Sequence, residues 1–128
     1  KDSMYNTPPC WCIYMLGLVL DWLESKGGIP GMEAIKHAKA QMLYDVIDSS
    51  KLFTCAVEPG SRSDMNVVFR TGNDELDAKF VKESVEAGFT NLKGHRSVGG
   101  MRASIYNAMP TEGVEKLCDF IKAFDKNN

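Results

Sequence analysis

Gly94-His95-Arg96-Ser97-Val98-Gly99-Gly100-Met101-Arg102-Ala103-Ser104-Ile105 is the stretch from which the fold is read. Its glycines let the backbone turn tightly. Beyond them Met101, Ala103 and Ile105 alternate with Arg102 and Ser104, which predicts a strand with one apolar and one polar face. Toward the carboxyl end, Val114, Leu117, Cys118, Ile121 and Phe124 recur at helical spacing, predicting a helix over 112–124. Toward the amino end, a short strand is expected at 91–93. Before it, Asn73-Asp74 caps a helix that ends near Gly88, with Glu75 and Lys79 in the favourable i,i+4 order. Residues 53–57 and 66–70 are rich in β-formers and are joined by Glu58-Pro59-Gly60-Ser61-Arg62-Ser63-Asp64, so two antiparallel strands are expected there. Ile35, Ala38, Met42, Leu43, Val46 and Ile47 predict an amphipathic helix over 32–48. With one further helix at the amino end the order is ααββαββα. That order describes an α+β fold, a mixed sheet with helices packed on it.

The first helix is expected to start at Asn6-Thr7-Pro8-Pro9, where Asn or Thr caps exposed N–H groups and proline suits the first turn. Gly27-Gly28 stops it near Lys26. Its body is unusual. Trp11, Ile13, Tyr14, Met15, Leu16, Leu18, Val19, Leu20, Trp22 and Leu23 cover nearly every direction around the axis. A helix apolar all round must be covered all round, so this long apolar helix is expected at an interface with a second domain or a partner subunit.

Composition narrows the function classes. The 128 residues hold 15 Lys+Arg and 17 Asp+Glu, a net charge of −2, and 44% are hydrophobic. One globular domain is the natural expectation, and a near-neutral chain without a basic cluster lacks the phosphate-neutralising charge of a nucleic-acid binder. The apolar run 11–20 is about half the ~20 residues a bilayer crossing needs, so no membrane span is expected. Cys10, Cys12, Cys55 and Cys118 are too few for a disulfide framework and fit reduced thiols in the cytoplasm. The chain opens at Lys1 with neither an initiator methionine nor a signal peptide, which reads as a cut from something longer.

The glycine-rich turn is also the richest chemical stretch. His95, Arg96 and Ser97 offer several donors in one short loop, and Arg102 lies on the strand face opposite Met101, Ala103 and Ile105. Two arginines six residues apart could hold two anionic groups of one small molecule, a phosphate and a carboxylate. The same residues also fit a strand connection with solvated arginines, and the pattern leaves both readings open. At Asn6-Thr7-Pro8-Pro9 the helix start could hold an anion, but the prolines remove two N–H donors, so it would lean on Asn6 and Thr7. Plain capping competes there. Cys10-Trp11-Cys12 lacks zinc-knuckle spacing, so these are buried or interface cysteines and no metal site is expected. His37 reads as a solvated histidine, and the acidic residues of the third helix, between Asn73-Asp74 and Gly88, as an exposed face. There is no Walker loop, dinucleotide fingerprint or nucleophile–base pair.

Taken together, Asn6-Thr7-Pro8-Pro9, Ile13-Tyr14, Gly17-Leu18-Val19, Val57-Glu58-Pro59, Met65-Asn66-Val67 and the run from Lys93 to Ala108 resemble the phosphoserine aminotransferases, pyridoxal-phosphate enzymes of class V with the aspartate-aminotransferase type fold. The resemblance matches the carboxy-terminal third or so of that family. It implies the small C-terminal domain of a fold-type I aminotransferase over 31–128, with 1–30 as an interface helix and remnant of the cofactor-domain boundary. It further implies that Asn6 and Thr7 bind the phosphate of pyridoxal 5'-phosphate across a homodimer interface. His95 and Arg96 match positions that bind the substrate phosphate, and Arg102 the arginine that grips the α-carboxylate. The implied reaction transfers an amino group between glutamate and 3-phosphohydroxypyruvate, giving 2-oxoglutarate and O-phosphoserine for serine biosynthesis. No lysine here matches the Schiff-base position, so no catalytic residue is assigned and the segment is expected to be inactive alone. Arg62 is left without a role. The alternative is a free-standing regulatory domain whose glycine loop senses a phosphorylated metabolite.

Overall fold

Two consecutive glycines, the second opening the second helix, mark the break between the first two helices. Gly27 (φ +88°) and Gly28 (φ +66°) adopt the left-handed backbone that side chains resist, where α1 (Cys10–Ser25) gives way to α2 (Gly28–Ser49). A Cβ at Gly31 would collide with the Lys26 carbonyl, so the turn is closed by backbone against backbone. This computed structural model describes residue 2 and residues 5–128. The chain divides into two compact units, Lys1–Ala34 and Ile35–Asn128, with the boundary inside α2.

In the first unit the helix start differs from expectation. Pro9 is the cap residue of α1 and no side chain caps the first turn, so neither Asn6 nor Thr7 does so and both prolines precede the helix. The carbonyls close the turn instead: Cys10 N–H donates to Pro8 O at 2.9 Å and Ile13 N–H to Pro9 O at 3.1 Å. Consecutive prolines hold the backbone rigid and keep their acceptors while lacking donors. No residue of α1 is buried, and Trp11 is 71% exposed with its ring 6.0 Å from that of Tyr14. Cys10 and Cys12, expected to be buried or at an interface, are exposed in this chain.

The second unit is built around phenylalanines. Phe53, Phe69, Phe80 and Phe124 meet with ring centroids 5.1–5.9 Å apart, mostly edge to face. Around them pack Leu43 and Ile47 of α2, Val114, Leu117 and Ile121 of α4 (Thr111–Asn127), and the apolar face of the sheet. The cysteines form no disulfide among the described residues, and burial pushes the Cys118 thiol up to about 11.

The sheet is smaller than the sequence predicts. Strand β1 (Asn66–Phe69) pairs antiparallel with β2 (Met101–Ser104), placing Val67 opposite Ala103 and Val68 opposite Arg102. Among the described residues these are the two strands, so the sheet is antiparallel rather than mixed. The expected strands at 53–57 and 91–93 shrink to single antiparallel bridges, Thr54 to Arg70 and Lys93 to Met101. Side chains are the reason at the first: Leu52 N–H donates to Asp125 Oδ1 (2.9 Å) and Phe53 N–H to Ser50 Oγ (2.8 Å), so these donors are spent outside any ladder. At the second, Asn91 turns left-handed (φ +60°) just before the bridge and breaks the extended path.

Helix α3 (Asp74–Glu86) is capped as predicted, the Asn73 side chain accepting from Glu75 N–H and Leu76 N–H. Its salt bridge is not: Lys79 lies 3.9 Å from Glu83, one turn forward of the residue that could have answered Glu75. Nor is its acidic face wholly exposed. Asp77 is buried, its Oδ1 accepting from Thr71 N–H and Thr71 Oγ–H at 2.8 Å each.

Arg62 acquires a structural role. Its guanidinium makes two bonds to the Asp48 carboxylate (2.6 and 2.8 Å) and lies 4.6 Å from the Tyr44 ring centroid. The hydrogen bond from Arg62 holds the Asp48 carboxyl below its usual 3.8. The folded form therefore binds that proton more weakly than the unfolded chain, and the stabilisation is present above 3.8 and lost as pH falls through the lowered value. Urea unfolding of wild type and Arg62→Ala should show the variant less stable at pH 7, with the two curves converging as the solution is acidified below pH 3.8. A gap independent of pH would mean that Arg62 acts through its stacking on Tyr44 and its bond from Nε to the Val57 carbonyl (3.4 Å) rather than through Asp48.

Candidate functional site

The turn at 94–100 owes its path to backbone contacts. Gly94 N–H donates to Gly100 O at 2.8 Å, and the His95 carbonyl accepts from both Val98 N–H and Gly99 N–H at 2.9 Å. A Cβ on Gly94 would meet Gly99 O and stand 2.7 Å from Gly100 O. The hairpin stem is thus narrow enough that only glycine fits at 94. Gly100 adds a positive φ of +63° and a Cβ position 2.8 Å from Phe69 O. This stem hands the chain directly to β2, which carries Arg102.

Two openings flank the loop. One, of about 240 Å³, is lined by Thr54, Ala56, Val68, Arg70, His95 and Arg102 among others. The other, of about 750 Å³, runs between the loop and α3 and is lined by Asp77, Val81, Lys82, Lys93, His95 and Arg96 among others. The structure therefore brings Arg102 and His95 to one pocket, while Arg96 faces the groove on the far side and His95 borders both. Arg96 and Arg102 thus line two openings that share His95.

Arg102 is half-buried, and its Nε is a buried donor without a partner among the described residues. Such an orphan costs roughly 1–3 kcal/mol in a folded chain and calls for an acceptor. A carboxylate or phosphate oxygen supplies one, with the fork geometry that guanidinium favours. The Arg96 side chain is exposed, and among the described residues it makes no hydrogen bond or ion pair. His95 Nδ1 lies 2.7 Å from Ser97 Oγ and accepts from Ser97 N–H at 3.3 Å. Asn6 and Thr7 are exposed in the other unit, beside a helix start that no side chain caps. Of the donors at that turn, Cys10 N–H is taken by Pro8 O and neither proline has one. His37, expected to be solvated, is exposed but lies 3.4 Å from Asp64 Oδ2.

Sequence reasoning missed two buried polar residues. Asp77, lining the groove, keeps Oδ2 without a partner among the described residues. Lys39 is almost wholly buried, its Nζ donating to the carbonyls of Tyr106 (2.9 Å), Asn107 (3.3 Å) and Met109 (2.8 Å) just beyond β2. A lysine within an amphipathic helix gives no local sign of such a role. No group of metal-ligating side chains is found among the described residues, and no helix there is long and apolar enough to cross a membrane.

The family model for class-V aminotransferases matches residues 1–117. The chain belongs to that family. A class-V aminotransferase similar over its whole length is the phosphoserine aminotransferase of Lactiplantibacillus plantarum, 55% identical over 128 residues that make up 36% of that protein. Among solved structures, phosphoserine aminotransferase from Bacillus circulans subsp. alkalophilus superposes with a TM-score of 0.94 at 49% identity, over 98% of this chain and 35% of that one. The PLP-bound phosphoserine aminotransferase from Trichomonas vaginalis gives 0.88 at 41% identity, over 94% of this chain and 35% of that one. This class-V aminotransferase chain thus spans about a third of the length of the relatives it matches.

Proposed function

We propose that this chain is the substrate-gripping part of a phosphoserine aminotransferase, an enzyme moving an amino group between glutamate and 3-phosphohydroxypyruvate. The observation that carries the reading is the buried, partnerless Nε of Arg102, sharing a pocket with His95, in a chain 55% identical to a phosphoserine aminotransferase. In this reading Arg102 binds the α-carboxylate common to all four substrates. His95 and Arg96 bind the phosphate that only the phosphorylated pair carries, Arg96 from the groove side of the loop.

Asn6 and Thr7 would hold the phosphate of pyridoxal 5'-phosphate. When bound, that cofactor supplies the electron sink for amino transfer. The residues of this chain orient the substrate by its charged ends and move no proton themselves. Residues 1–30 are read as an interface helix at the edge of the cofactor domain and residues 31–128 as the small C-terminal domain. The exposed apolar side chains of α1 support a homodimer or domain contact there, and the four free cysteines suit the cytoplasm.

The test is half-transamination of O-phosphoserine with added cofactor, by the 128-residue chain alone and by the same chain joined to the amino-terminal portion of the Lactiplantibacillus plantarum relative. Silence alone and activity when joined is the expected result. Activity from the chain alone would overturn the assignment of no catalytic lysine. In the joined enzyme Arg96→Ala should lower kcat/KM for O-phosphoserine by about 10–100-fold, the loss of one charge-assisted contact, and leave glutamate within about threefold. Equal losses for both substrates would show that Arg96 does not read the phosphate.

A further inference from the structure

The contact between His95 and Ser97 has a direction. A backbone N–H only donates, so the bond from Ser97 N–H makes His95 Nδ1 an acceptor, and a neutral imidazole with an acceptor Nδ1 carries its proton on Nε2. With Nδ1 an acceptor, the Ser97 hydroxyl, 2.7 Å away, is placed to share the same lone pair as the shorter of the two donors. Ser97 is not left to find this position by chance. The His95 carbonyl is bonded to Val98 N–H and Gly99 N–H, which curls residues 95–99 into a closed turn with Ser97 at its crest. Among the described residues Nε2 has no partner, so it is the one ring donor left for a ligand.

We propose that Ser97 is a positioning residue for His95, pinning the imidazole in the Nε2–H form and in one orientation so that an uncharged ring donates to a phosphate oxygen. The inference rests on the reading of His95 as a phosphate ligand. A phosphate oxygen only accepts. A ring that turned over, or carried its proton on Nδ1, would set a lone pair against that oxygen, and the contact would change from attraction to repulsion. The loop therefore makes the histidine useful as a donor without requiring it to be charged. Ser97 touches no substrate in this arrangement and acts only through the ring.

The chain has two histidines, His37 and His95, so ring-nitrogen spectra of a histidine-labelled sample hold two sets of signals. In alkaline buffer, where imidazoles are neutral, His95 should show a single Nε2–H form in wild type. It should show exchange between forms in Ser97→Ala, which keeps only the longer 3.3 Å backbone contact and loses the 2.7 Å one, and the single form again in Ser97→Thr, which restores the hydroxyl. In the joined enzyme Ser97→Ala should raise KM for O-phosphoserine about threefold to tenfold, the scale of one hydrogen bond. Glutamate and kcat should be unchanged, and Ser97→Thr should recover the loss. Unchanged ring signals in Ser97→Ala, or an unchanged KM while His95→Ala still weakens O-phosphoserine, would overturn the role of Ser97 and leave the phosphate reading standing. An unchanged KM in His95→Ala itself would overturn that reading and this inference together.

Discussion

Arg102→Ala in the joined enzyme is expected to lower kcat/KM for O-phosphoserine, glutamate and their keto-acid counterparts alike, by about 10²–10³-fold. The guanidinium is held on β2 opposite Val68, and its Nε is already desolvated and unpaired. The cost of fixing and drying the donor is therefore met in the folded chain, and the ligand gains most of the interaction. Two charge-assisted hydrogen bonds at about 1.5–3 kcal/mol each, reduced because such terms are not additive, give roughly 3–4 kcal/mol, which is the stated range. Arg102→Lys keeps the charge and loses the fork, so it should fall between wild type and alanine. Steady-state kinetics with each substrate separately is the measurement. A loss confined to the phosphorylated pair would mean that the roles of Arg96 and Arg102 are exchanged.

Lys39→Met is expected to produce the largest loss of stability, about 3 kcal/mol, while a methionine stem keeps most of the packing. Burial pulls the Lys39 pKa below the ordinary 10.5, yet each of its three N–H donors has a carbonyl acceptor, the arrangement an ammonium requires. Those carbonyls belong to Tyr106, Asn107 and Met109, where the chain leaves β2 for α4. Removing the ammonium leaves all three without that donor at once. Urea unfolding of the chain gives the value, with Lys122→Met on the exposed face of α4 as the control, expected within about 0.5 kcal/mol of wild type. A small effect at position 39 would mean that water replaces the ammonium at the carbonyls.

What the sequence made legible divides by the range of the interaction that decides each feature. The four helices follow from periodicity and local stop signals, and the Asn73 cap from residues two and three positions away. The alternation of Met101, Ala103 and Ile105 with Arg102 placed the arginine on the correct face. The strands at 53–57 and 91–93 failed because the backbone donors near Phe53 are claimed by Ser50 and by Asp125, more than seventy positions on, and because one asparagine turns left-handed. Lys39 and Asp77 resemble surface residues by type and spacing. Only partners reached through the fold bring them inside. Of the candidate site, the glycine-framed loop and the face of Arg102 were legible, whereas which opening each of Arg96 and Arg102 lines depends on how the turn curls.

The narrow stem at Gly94 and Gly100 also divides the loop into parts that can and cannot diversify. At 94 any side chain strikes a carbonyl, and at 99 and 100 the backbone itself is left-handed. Arg96, Ser97 and Val98, by contrast, stand exposed on the crest. Substitution at Arg96 or Val98 alters what is presented without altering where it is presented, whereas Ser97 is tied to the aim of His95. A lineage drifting toward a different charged substrate could therefore change its recognition vocabulary at the two codons flanking Ser97 while the scaffold that aims them stays in place.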